Sequence, residues 1–146
     1  MNPHVETDYN KDFYNWTLHN ADLIRQKKFS EADIEHIAEE IESMGNRERR
    51  ELINRLAVLI AHLLKSQYQP TKRSKSWELT IKEQRIKVLQ LLEESPSLKH
   101  QLALKFDAAY EQAIVMAEIE TGLEESAFPK EFPFNLDQCL DHDFFP

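Results

Sequence analysis

Three side chains stand where their types and neighbours would allow chemistry: Glu40, His62 and Arg85. His62 interrupts the apolar run from Leu56 to Leu64. Helical spacing sets it beside Arg55, Val58 and Ser66, opposite the widest apolar arc. A partly buried imidazole must satisfy its ring nitrogens or shift its pKa downward. It is expected as a structural histidine bonded to a carboxylate, with a metal ligand or general base as the alternative. Glu39, Glu40 and Glu42 follow upstream, and Glu40 flanks an apolar stripe beside Ile37 and Met44. Arg85 falls between Leu89 and Leu92 on its own helical wheel, at the edge of a buried face. A Glu40–Arg85 pair would fix helix register with little net stability, although removing one partner would cost ~3–5 kcal/mol.

Glu39, Glu40 and His62 together would suit a metal-dependent enzyme. Yet di-iron bundles need carboxylates from several helices and two Glu-x-x-His turns. Here there is one Asp-x-x-His turn, Asp33-Ile34-Glu35-His36, and no HExxH. His4, His19, His100 and His142 are scattered, and Asp141-His142-Asp143 is a weak loop triplet. No metal or cofactor is therefore expected. The two glycines, Gly45 and Gly122, cannot build a Gly-rich phosphate loop or a nucleophile elbow. The one cysteine, Cys139, excludes an internal disulfide and any CxxC pair. Only His142 lies near enough in sequence to activate its thiol.

Charge offers another chemistry. Net charge is −8, but it is unevenly placed. Residues 1–45 carry 4 basic and 10 acidic side chains, residues 46–87 carry 11 and 4, and residues 118–146 carry 1 and 8. An acidic head and tail thus flank a basic centre, and they can fold back to neutralise it. Held open, the centre would instead bind nucleic acid through Arg47, Arg49, Arg50, Lys72, Arg73 and Lys75, with Lys65, Tyr68 and Trp77 nearby. Glu48 and Glu51 alternate with the first arginines, as on a solvated helix face.

The elements that must position these groups are helical. The periodicity predicts a first helix over about 8–26, with Tyr9, Phe13, Trp16, Leu23 and Ile24 on one face. A second opens near Phe29-Ser30, capped by Ser30 with Asp33, and buries Ile34, Ile37, Ala38, Ile41 and Met44. Gly45 is expected to end it. Asn46 would cap the third, the most apolar, with Leu52, Ile53, Leu56, Leu59, Ile60, Leu63 and Leu64 at the heart of the fold. Pro70 ends it, and Ser76 would cap a fourth helix carrying Trp77, Ile81, Val88, Leu91 and Leu92. Ser95-Pro96 opens a fifth that Gly122 closes. Five of the eight Phe and three of the six Pro fall within the last 19 residues. This composition predicts an aromatic strap over the bundle, with a detachable partner-binding peptide as the alternative. The expected architecture is all-α: one domain over 1–146, with an extension (1–7), a helical body (8–122) and a strap (123–146).

Several short stretches occur together in order: Asp12-Phe13-Tyr14-Asn15-Trp16-Thr17, Ala38-Glu39-Glu40-Ile41-Glu42-Ser43-Met44-Gly45, His62-Leu63-Leu64-Lys65, Gln67-Tyr68-Gln69-Pro70, Ser76-Trp77, Glu83-Gln84-Arg85, Ser95-Pro96-Ser97-Leu98-Lys99 and Glu120-Thr121-Gly122-Leu123. The chain resembles the bacterial domain-of-unknown-function family twenty-nine from about Tyr9 to Pro146. Ser66 stands where that family would carry Trp. The resemblance implies an all-helical fold and brings no catalytic residues.

The N-terminus lacks the basic and apolar regions of a signal peptide, and no apolar run is long enough to span a bilayer. A cytoplasmic protein with no membrane partner is expected. The leading expectation is a non-enzymatic helical module that binds a protein partner, which can be a second copy of itself.

Overall fold

The computed structural model describes residues 6–146. Among these there are helices and no strands: α1 (Glu6–Lys11), α2 (Phe13–Arg25), α3 (Ile34–Tyr68), α4 (Lys75–Glu94), α5 (Leu98–Thr121) and α6 (Leu136–Leu140). Short 3-10 turns occupy Pro70–Lys72 and Glu125–Ala127. The all-α expectation holds. Of the expected N-terminal extension, residues 1–5 lie outside the described residues, and helix begins at Glu6.

The expected first helix is two. Asp12 leaves helical geometry (φ −141°, ψ 74°), and its carboxylate accepts the Asn15 N–H at 3.1 Å, so the helix restarts as α2. Chain reversal after α2 puts Lys27 in the left-handed region (φ 60°), with Lys28 N–H returning to Leu23 O at 2.8 Å. The second and third expected helices are instead one. α3 runs 35 residues through Gly45 and Asn46, which neither end nor cap it. A helical glycine costs ~1 kcal/mol relative to alanine, too little to stop a helix with strong formers on both sides. At its start, Asp33 rather than Ser30 holds the cap position, its C=O accepting from Ile37 N–H at 2.9 Å. Ser74, not Ser76, caps α4 by accepting the Trp77 N–H at 3.2 Å. Gly122 closes α5 in the left-handed conformation (φ 74°), as expected.

The chain divides into two compact units, residues 1–46 and 47–146. In the first, α2 buries Trp16, Asn20 and Leu23. In the second, α3 supplies the centre: Leu52, Leu56, Leu59, Ile60, Leu63 and Leu64 are fully buried. Ile81, Val88 and Leu91 of α4 and Leu102, Ala109, Ala113 and Ala117 of α5 pack around it. The strap is docked. Phe128 and Cys139 join this core, and Phe132, Phe134, Leu136, Leu140 and Phe144 pack against it. A capping box between Asn135 and Gln138 starts α6 and sets the direction of the strap.

Candidate functional site

In the first unit, polar side chains form a network around Trp16. The Trp16 indole N–H donates to Asp33 Oδ2 at 2.9 Å. The same oxygen lies 2.7 Å from His36 Nδ1, so the Asp-x-x-His turn bonds within itself rather than presenting ligands. Asn20, buried beneath, accepts the Asp33 backbone N–H at 2.8 Å and donates to Trp16 O at 3.0 Å. Tyr9 stacks on His36, ring centroids 3.9 Å apart, and donates its hydroxyl to Glu40 Oε1 at 2.5 Å. His36 and Glu40 lie four residues apart, and this side of α3 is the one that receives Tyr9. The expected stripe is therefore corrected: Ile34, Ile41 and Met44 are 51%, 59% and 55% exposed, and Ile37 is half-buried.

Electrostatics follow from these contacts. Burial pushes the Asp33 carboxyl up, but the bonds from Trp16 and His36 outweigh it and hold the group below its ordinary value. The Glu40 carboxylate that accepts from Tyr9 holds that phenol up at about 12.

The expected Glu40–Arg85 pair is replaced by other partners. Glu40 serves Tyr9. Arg85, 2% exposed, donates from Nε to Cys139 O at 2.7 Å and from Nη2 to Phe144 O at 2.6 Å. Its Nη1 is buried with no partner among the described residues, and its guanidinium carbon lies 5.2 Å from the centre of the Phe145 ring. The planar guanidinium satisfies two carbonyls on either side of the Asp141–Asp143 loop, which a carboxylate partner would leave unpaired. His62 also departs from expectation. Its Nδ1 pairs with Val58 O at 3.0 Å, one turn back, and not with a carboxylate. Burial holds its pKa below the ordinary histidine value; the Val58 bond and Glu120 oppose this, and Lys65 reinforces it.

The basic positions separate. Arg47, Arg50 and Arg55 line one shallow groove on the second unit with Asn54, Val58 and Gln84, and Arg55 pairs with Glu51 at 3.0 Å. Arg49 is half-buried, its Nε unpartnered. Arg73 is tied to the fold, donating to Ser66 O at 2.8 Å and to the Pro146 main-chain oxygen. Lys72 and Lys75 are exposed, Lys75 lying 4.0 Å from Glu78. Lys65 is buried, pairs with Glu120 at 2.5 Å and sits 4.4 Å over Trp77. Of the six expected nucleic-acid contacts, Arg47 and Arg50 share a groove, and Arg73 is bonded to the strap.

Among the described residues, the only group of three possible metal ligands within mutual reach is Asp141, His142 and Asp143, all exposed. Glu39, Glu40 and His62 are not among such groups. Burial pushes the Cys139 thiol up to about 12, so it stays protonated.

Sequence reasoning missed a groove of about 810 Å³ on the second unit, between α5 and the Glu124–Lys130 segment. Tyr110 anchors it: its hydroxyl donates to Pro129 O, and burial pushes its pKa up to about 12. The spacing of Glu111, Ile114, Val115 and Glu118 carried the signal, but only the docked tail supplies the other wall.

The class is thereby defined: an all-α protein whose second unit is closed by an aromatic strap. The chain belongs to the family described as Domain of unknown function DUF29, matched over residues 9–145. Comparison with the curated proteins and with the solved structures finds no match. Among the described residues, no helix is long and apolar enough to cross a membrane.

Proposed function

We propose that this chain is a cytoplasmic, non-enzymatic module that works by binding another protein. The observation that carries this reading is the apolar face of the first unit. Ile34, Ile41 and Met44 of α3 are each more than half exposed, and Phe13, Tyr14 and Leu18 of α2 are also exposed. Ile34, Ile41 and Met44 fall on one side of α3 at helical spacing, and apolar exposure along one helix face marks an interaction surface.

The test places a photo-crosslinking residue at position 41 of the full chain in living cells, with the exposed position 82 as control. A discrete protein adduct is expected from position 41 and not from 82, and Met44→Glu abolishes it. Mass spectrometry identifies the adduct, a second copy of this chain included. Equal labelling from both positions, or none, overturns the reading.

A further inference from the structure

The groove on the second unit has two kinds of wall. Glu111, Ile114, Val115 and Glu118 of α5 line it at steps of three, four and seven residues, which places them on one helix face. Glu124 and Glu125 line it from the segment beyond Gly122. Four carboxylates therefore border it against one ammonium, that of Lys130. The floor is apolar: Ile114 and Phe128 are 7% and 5% exposed, and Val115 stands half in water at 55%. Both walls are braced. Tyr110 bonds the Pro129 carbonyl, and Tyr68 packs edge-on against Phe128 with centroids 5.5 Å apart. A braced groove loses little conformational entropy when filled.

We propose that this groove holds a basic peptide segment of the partner protein. The ligand carries Lys or Arg at two positions about 10 Å apart, with an apolar residue between them. The spacing follows from α5, because seven residues separate Glu111 from Glu118 and the helix rises ~1.5 Å per residue. Three residues of polyproline II chain, which rises ~3.1 Å per residue and returns to the same face every third residue, match it. The apolar side chain fills the space over Ile114 and Phe128, while the cations meet the carboxylates at the rim. Rim charges give register and rate, and the floor gives affinity. The proposal rests on the reading of the chain as a protein-binding module, but it uses a different surface, so the two fail separately.

The probe is a fluorescein-labelled peptide of three Arg-Leu-Ser repeats, followed by fluorescence anisotropy with the full chain at low salt. Saturable binding is expected. Glu111→Gln combined with Glu118→Gln weakens it about tenfold or more, and replacing each peptide Leu by Ser does the same. The proposal is overturned if the peptide does not bind or if the double variant binds equally well. It is also overturned if the Leu-free peptide or spermidine matches the parent, since charge alone would then suffice. A groove that fails leaves the crosslinking result at position 41 untouched. Crosslinks that fail beside a peptide that binds overturn the first-unit reading and leave the groove as a peptide site on its own.

Discussion

Lys65 and Arg85 are both cations in the interior of the second unit, and each is partnered differently. Lys65 is a point charge and takes one carboxylate and one ring face. Arg85 is a planar fork and takes two main-chain carbonyls. His62 chose a third route, the carbonyl of its own preceding turn. Its place beside Val58 and opposite the widest apolar arc was read from the spacing; its partner was not, because a wheel gives direction and not neighbours. The lowered pKa has a sign that can be tested. Below about pH 6.5 an unfolded histidine takes up a proton that folded His62 resists, so the unfolded state binds more protons and stability is lost as pH is lowered. Above that value the contribution vanishes. His62→Gln is expected to flatten the fall of the urea midpoint between about pH 7 and 5. Parallel curves for native and variant protein would contradict the assignment.

At the scale of elements, helix type was readable and helix ends were not. Apolar steps in the second half of α3 predicted its central place, and every expected leucine there is buried. Gly45 looked like a stop because glycine often closes helices in the left-handed region. In the structure only Gly122 has that geometry among the glycines, and a Cβ at Gly45 would meet nothing within 4 Å. Gly45→Ala is therefore expected to stabilise the protein by about 0.5–1 kcal/mol, read from its thermal midpoint and from slower amide exchange around residues 42–48. A helix stop at this position would respond in the opposite sense. The reversal after α2 shows the converse misreading: Lys27 holds the left-handed position that glycine would occupy at lower cost.

For the molecule as a whole, the acidic 118–146 segment docks on the basic centre, neutralising Lys65 through Glu120 and offering the arginines main-chain oxygens. Arg85 and Arg73 bond to carbonyls of the strap and not to its carboxylates. Formal charge therefore pointed to the right segments through the wrong groups. The strap closes the core of the second unit, with Phe128 and Cys139 inside it. Arg85→Ala removes two charge-assisted bonds and leaves a void, at a cost of about 3–5 kcal/mol in urea unfolding. The Cys139 thiol should then react with a maleimide in the native state. A loss below about 1 kcal/mol with the thiol still protected would show that the aromatic anchors hold the strap unaided.

Local order in the chain was enough for the helical class, the buried half of α3, the left-handed Gly122 and an aromatic tail. Each depends on residues within a turn or two of one another, where periodicity and side-chain chemistry act directly. The partners of Glu40, His62 and Arg85, the exposed stripe of Ile34, Ile41 and Met44, and the acidic groove were decided by packing. Each requires groups distant in sequence to compete for the same face. Tyr9 claimed the His36–Glu40 side of α3, and the strap carbonyls claimed Arg85, because those choices satisfied buried polar atoms that the expected pairs would have left without bonds.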